Sequence, residues 1–353
     1  MEVEAVVIYY GYHISLQIKR TYHETCFVDM KEVDNIKYIE SAKSRLRHDK
    51  YGSLKYLTMN RFEDLIRFSD HVQSIFNIRY FEITVNSRDQ GKKQMRHFLW
   101  IALAKKYDCV SILGLESIPF RFFNYLMKTV NLNASLRIEC IVPAHCQHEN
   151  KLKFKSIDYS RAEWVTLDDL KSFRNQDSVT LEDTNLTSED FHKFLRFWIN
   201  CEYDMMECLS VKLSGGTTID KNTVLDGISR VVIKEQSEDD RHYILSRRHP
   251  EKKFTIGEIK LKGGMMQLTG YEPSEISPNT ISCLECLEKK DSLKKEKIEV
   301  ERDETAFAKN WTQYSVGDFD RVIKKMRTRK EDIDKELEAI QQNIVRLGFV
   351  DID

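Results

Sequence analysis

Four residues able to hold a divalent cation crowd into one short stretch: Cys140, His145, Cys146 and His148. Thiolate and imidazole are the donors that zinc favours. Their spacing is irregular, however, and they sit in a predicted loop after a strand, where ordinary surface histidines are the other reading. No metal site is expected there. Cys283 and Cys286 form a CxxC. A structural zinc takes about four ligands, yet no second pair follows and His249 stands alone upstream. That pair is expected to hold no metal and do no redox chemistry. Between Arg321 and Lys330 the chain gathers Lys324, Lys325, Arg327 and Arg329, charges able to meet a phosphate backbone. Asp318, Asp320, Glu331 and Asp332 flank them on the same predicted helix, which reads as a solvated, salt-bridged face.

No Walker A loop, glycine-rich dinucleotide fingerprint, Gly-x-Ser-x-Gly elbow or His-Glu-x-x-His helix occurs in the sequence. No catalytic residue and no cofactor is expected, and the chain is not read as an enzyme. A formal charge of -1 over 353 residues gives no overall pull toward nucleic acid or an anionic membrane. The start, Met1-Glu2-Val3-Glu4, has no basic region, and the longest strongly apolar run, Phe98 to Ala104, falls far short of the ~20 residues that span a bilayer. Neither a signal peptide nor a membrane partner is expected. The sequons at Asn133, Asn185 and Asn310 then read as chance matches. The 8 cysteines are scattered, several inside apolar patterns, as small buried hydrophobes are in a reducing compartment. The expected setting is cytoplasmic or nuclear.

The elements that would position any working surface follow from hydrophobic period. Val3, Ala5, Val7 and Tyr9, then Ile14, Leu16 and Ile18, alternate as strands, making 1–56 a β-rich segment with loop and short helix over 31–50. From about Leu57 helical faces (Phe62 to Phe76, Met95 to Leu103, Phe122 to Val130) alternate with short strands around Ile83, Ile112, Ile138, Thr180 and Ser210, with an extra strand at 151–156. A strand-and-helix unit of 20–29 residues is the leucine-rich repeat period, so 57–227 is read as an LRR-like strand-helix array of α/β class. Thr187 or Ser188 caps a helix whose Phe191, Phe194, Leu195, Trp198 and Ile199 share one face. Residues 228–272 return to a period of two and predict a small antiparallel β meander. Pro273 and Pro278 mark a boundary before a charged, coiled-coil-like helical tail, 284–353. Its apolar steps within 318–347 offer either self-association or packing on the chain's own body.

One segment carries a resemblance. Trp164-Val165-Thr166-Leu167-Asp168-Asp169-Leu170 is followed by Leu181 to Asp190, with Asn185-Leu186-Thr187 inside it, and by Phe194-Leu195-Arg196-Phe197-Trp198-Ile199. This order resembles the F-box-associated domain of nematode F-box proteins, with Met206 to Val211 fitting its last strand. The likeness is specific over about 160–227 and looser on both sides. It implies a domain that holds a target protein while an F-box docks on the Skp adaptor of a cullin ubiquitin ligase. The F-box itself is expected to be missing, because the first proline is Pro119 and residues 1–30 read as strands. A Skp adaptor is therefore a partner only if an F-box is supplied elsewhere. Trp164, Leu186, Phe194 and Trp198 read as core anchors.

If the strands stack in parallel, the residues between the core positions make one exposed face. Those are Glu82, Thr84, Arg137, Glu139, Lys153, Lys155, Thr180, Glu182, Ser210 and Lys212. Mixed charge suits a polar protein target. The alternative function is a structural or assembly protein that oligomerises through its C-terminal helix.

Overall fold

Val110 and Ile112, Leu136 and Ile138, Ile157 and Tyr159, and Val179 and Leu181 stand two apart on four successive strands, and all eight are buried. A strand sends alternate side chains to one face, so these pairs build one core. The computed structural model describes residues 2–10, 13–20, 25–32, 46–48, 54–58, 77–86, 107–114, 116–143, 147–233, 240–309 and 316–349. The helical faces read at Phe62 to Phe76 and Met95 to Leu103 lie outside the described residues, as does most of 31–50. The protein is mixed α/β and divides into two compact units.

The first unit takes in residues 1–187, 208–218 and 263–265. Its strands are β1 (Glu2–Tyr10), β2 (His13–Arg20), β3 (Thr25–Glu32), β4 (Leu46–His48), β5 (Leu54–Thr58), β6 (Asn77–Asn86), β7 (Cys109–Leu113), β8 (Ser135–Ile138), β9 (Ser156–Tyr159), β10 (Gln176–Thr184) and most of β11 (Met206–Leu213). β6 through β10 run parallel in sequence order. β1 pairs parallel with β6 and antiparallel with β2, which pairs antiparallel with β3. Ile83, Val110, Leu136, Ile157 and Val179 align as one row, and Val85, Ile112, Ile138, Tyr159 and Leu181 as the next. Burying each aliphatic side chain that β7 to β10 contribute to these rows adds roughly 1.5–3 kcal/mol.

Parallel neighbours need crossovers. α1 (Phe120–Thr129) links β7 to β8 and buries Phe122, Phe123, Leu126 and Met127. α2 (Leu167–Lys171) links β9 to β10; Thr166 Oγ1 accepts from Asp169 N at 3.2 Å while Asp169 Oδ2 accepts from Thr166 N at 3.0 Å, a reciprocal cap.

The strand read at 151–156 is corrected. Residues 151–155 form turns, with Lys151 N donating to His148 O at 3.1 Å and Lys153 N to Asn150 O at 3.1 Å. Leu152 and Phe154 are buried and two apart, which imitates a strand. Their carbonyls instead accept from the Gln176 amide, at 2.6 Å and 3.1 Å. The strand begins only at Ser156.

The second unit takes in 188–207, 219–262 and 266–353. It contains α3 (Ser188–Asn200), α4 (Lys221–Leu225), β12 (Arg230–Ile233), β13 (Arg241–Leu245), β14 (Ile256–Lys262), most of β15 (Met265–Tyr271), α5 (Pro278–Lys309) and α6 (Val316–Arg346). β13 pairs antiparallel with β12 and with β14. α3 buries Phe191, Phe194, Leu195 and Trp198. Gly257 makes room for Trp198, because a Cβ there would stand 2.9 Å from the indole.

Pro278 opens α5 rather than closing the preceding segment. Ser277 Oγ accepts from Thr280 N at 3.2 Å, and proline fits the first helical position, where its missing N–H costs nothing. Val231, Tyr243 and Ile256 of the strands join Cys283, Leu284 and Leu293 of α5 and Ile333, Ile340 and Ile344 of α6 in one core. Of the two readings of the apolar stripe within 318–347, the structure shows Ile333, Ile340 and Ile344 packed on the chain's own α5 and strands. Ion pairs lace the two helices, including Arg329 Nε to Glu296 Oε1 at 2.7 Å and Lys330 Nζ to Glu301 Oε1 at 3.4 Å. No helix among the described residues is long and apolar enough to cross a membrane.

Candidate partner-binding face

The register that buries two rows in the first unit turns the row between them outward. Thr84, Ser111, Arg137, Asp158 and Thr180 are direct neighbours across β6 to β10. At one end the row is closed. Ser111 Oγ donates to Glu82 Oε1 at 2.6 Å and Thr84 Oγ1 to the same atom at 3.0 Å, with both hydroxyl residues buried. Toward β8 it opens: Arg137 and Glu139 are exposed, and Arg137 Nε lies 3.2 Å from Glu139 Oε1 and 3.2 Å from Asp158 Oδ2. Glu182 is exposed and Thr180 half-buried on β10, and Lys212 is exposed and Ser210 half-buried on β11. The hydroxyl of Thr184 donates to Lys212 O at 3.1 Å.

Lys153 and Lys155 do not stand in this row. Lys153 Nζ pairs with Glu149 at 3.6 Å and Lys155 Nζ with Asp177 at 3.0 Å, both before the strand starts. Asp158 takes the place assigned to them, so the face is more acidic than the sequence reading gave. Burial pushes the Asp158 carboxyl above its usual range, Arg137 opposes this, and Glu182 and Glu139 add to it. Arg161 Nε pairs with Asp183 at 3.3 Å. Ion pairs this exposed stabilise by ~0–1 kcal/mol, so an incoming cation can displace Arg137 at little cost.

Behind the face sits a packed hub. Lys151 Nζ lies 4.5 Å from the Trp164 ring centroid, 3.1 Å from Asp169 Oδ1 and 2.8 Å from Gln147 Oε1. Trp164 meets Tyr159 edge-on at 5.3 Å, and the Tyr159 hydroxyl donates to Lys151 O at 2.7 Å. Asn185 Nδ2 donates to Glu163 O at 3.1 Å and its Oδ1 accepts from Ser214 Oγ at 3.2 Å. Residues 145–211, which hold most of this hub, match a family model described as F-box associated.

Over that stretch the chain is similar to F-box-associated regions. The matched stretch contains β9, α2, β10, α3 and β11 up to Val211. It includes Asp158, Thr180, Glu182 and Ser210 of the face; Arg137, Glu139 and Lys212 fall outside it. The chain is also 26% identical over 170 residues to the Skn-1 dependent zygotic transcript 15 protein of Caenorhabditis elegans, a match covering 45% of this chain and 49% of that protein. It therefore spans about half the length of that relative. No solved structure matches.

The thiol and basic clusters have local explanations. Burial pushes the Cys140 thiol up to about 12. His148 Nδ1 accepts from Asn150 N at 3.1 Å, while His145 and Cys146 lie outside the described residues. Among the described residues no group of three His, Cys, Asp or Glu side chains is placed to hold a metal ion. Cys283 is buried in the helix–strand core, and Cys286 Sγ accepts from Asn343 Nδ2 at 3.3 Å. The basic run of α6 meets acids of α5, with Arg327 Nε 3.2 Å from Glu304.

Proposed function

We propose that the chain is a protein-binding module that captures a target on the outward row of its parallel strands. On this reading β6 to β10 work as an LRR-like array and β12 to β15 as a small meander. The observation that carries the reading is the shared register of Arg137, Asp158 and Thr180, exposed or half-exposed between two fully buried rows. Glu139, Asp158 and Glu182 around a single Arg137 favour a target that presents lysine or arginine. Lys212 and Ser210 extend the surface along β11, while Glu82 and Thr84 brace one end.

The F-box-associated match supports target capture for a ubiquitin ligase, in the cytoplasm or nucleus. Among the described residues Cys109, Cys140, Cys201, Cys208, Cys283 and Cys286 form no disulfide, which suits such a compartment. Joining a captured target to a Skp adaptor falls, on this reading, to an F-box supplied elsewhere. No reaction is assigned to the chain.

The test is comparative affinity purification with mass spectrometry. The native chain, a Glu139→Lys/Glu182→Lys variant and a Lys193→Glu control are purified from the same lysate. A basic target kept by the native chain and the control but lost from the face variant supports the proposal. An unchanged set of partners removes the face. Recovery of Skp and cullin with the native chain supports the ligase assignment, and their absence contradicts it.

A further inference from the structure

We propose that a basic cleft in the second unit, between the end of α3, the turn before β12 and the middle of α5, binds a phosphoryl group carried on a peptide side chain. The cleft has a volume of about 540 Å³, within the range that encloses small ligands. Arg196, Arg230, Lys290, Lys294 and Lys295 line it against one carboxylate, Asp291, in a chain whose net charge is only -1.

The two guanidinium groups are held by neutral acceptors. Arg196 Nη2 donates to Gly227 O at 3.2 Å, and Arg230 Nη1 donates to Leu225 O at 2.9 Å and Ile228 O at 3.2 Å. These bonds fix the side chains and leave their charge uncancelled. Arg230 Nε is buried and lacks a hydrogen-bond partner among the described residues. Burial pushes its guanidinium below the ordinary arginine range. Gly227, at φ +54, seats Arg196, since a Cβ there would fall 2.9 Å from Nη2. The carboxylate present, Asp291, already accepts from Ser229 Oγ.

Fixed arginine forks match the paired oxygens of a phosphate, and a lysine adds a point charge. A peptide fits better than a nucleic acid for two reasons. Leu287, Ile228 and the 64% exposed Ile298 offer apolar contact beside the cations. Along α5 and α6 Lys297 and Arg329 are paired with Asp334 and Glu296, whereas a polyanion needs a continuing track of available cations. This site lies in the other unit from the strand face and stands whether or not that face binds a target.

Fluorescence anisotropy of the full chain tests it with a labelled pool of short phosphoserine peptides bearing Ala and Leu flanks. The same pool without phosphate, inorganic phosphate as competitor and a single-stranded oligonucleotide complete the set. The phosphopeptides are expected to bind, the unphosphorylated pool and free phosphate to bind far more weakly. Lys295→Glu, on an exposed helix position, is expected to weaken binding at least about tenfold, and Lys325→Glu to leave it unchanged. Equal binding without phosphate, a free anion competing as well as the peptide, tighter binding of the oligonucleotide, or an indifferent Lys295→Glu variant would each overturn the assignment.

Discussion

Lys151 Nζ stands 4.5 Å from the centre of the Trp164 ring and 3.1 Å from Asp169 Oδ1, so one side chain ties the turn before β9 to the helix after it. Lys151 is only 9% exposed, and the Trp164 indole N–H is buried with no acceptor among the described residues. The tryptophan is therefore held by its ring and by the cation rather than by a hydrogen bond. Trp164→Ala is expected to cost about 3–5 kcal/mol, Trp164→Phe clearly less. Lys151→Met, which removes the cation beside Asp169 Oδ1, is expected to cost about 2 kcal/mol. Urea unfolding midpoints at unchanged m-value check the series; a Trp164→Phe variant as damaged as Trp164→Ala contradicts it.

Gly257 is a steric requirement of Trp198. The Cβ of an alanine would stand 2.9 and 3.0 Å from indole carbons and 3.0 Å from Leu268 Cδ1. Overpacking of this kind costs roughly 1–3 kcal/mol. Gly257→Ala is expected to destabilise by that amount in the native background and by less in Trp198→Phe, a coupling that a double-mutant cycle measures. Additive effects would mean that the indole is not what the methyl meets.

Stability should fall in mild acid through His242. Its ring is 3% exposed and neither nitrogen has a hydrogen-bond partner among the described residues. Burial first, then Lys221 and Arg230, lower its pKa from 6.5 to about 4, against an opposing effect of Asp240. As pH drops below about 6.5 the unfolded chain takes up a proton that the folded chain refuses until about 4, so stability is lost across that window. The loss is on the order of 3 kcal/mol. His242→Phe is expected to flatten this part of a pH series of thermal midpoints; an unaltered slope contradicts the assignment.

Much of this was legible because buried rows write themselves as a period of two. Ile83, Ile112, Ile138 and Thr180 were placed on strands that the structure aligns, and the face residues Arg137 and Glu182 followed from them. Asp158 was missed for a local reason. Leu152 and Phe154 alternate like a strand but plug the core from turns, their carbonyls taken by Gln176, a residue 22 to 24 positions away. Only the flanking pair Ile157 and Tyr159 could have corrected the register. The stripe on α6 was readable, whereas its partner was not: α5 buries Thr280, Cys283, Leu284, Lys290 and Leu293, too sparse and too polar to declare a face. The basic cleft left no linear signal, since Arg196, Arg230 and Lys295 meet only through folding.

The most direct test of the docking face is an affinity measurement. Isothermal titration of the captured target against the native chain and against Glu139→Lys/Glu182→Lys, repeated at two salt concentrations, reads the face's charge. A dissociation constant raised at least about tenfold, with a weaker salt dependence in the variant, is the predicted result. Equal affinity and equal salt dependence would place the target elsewhere on the protein.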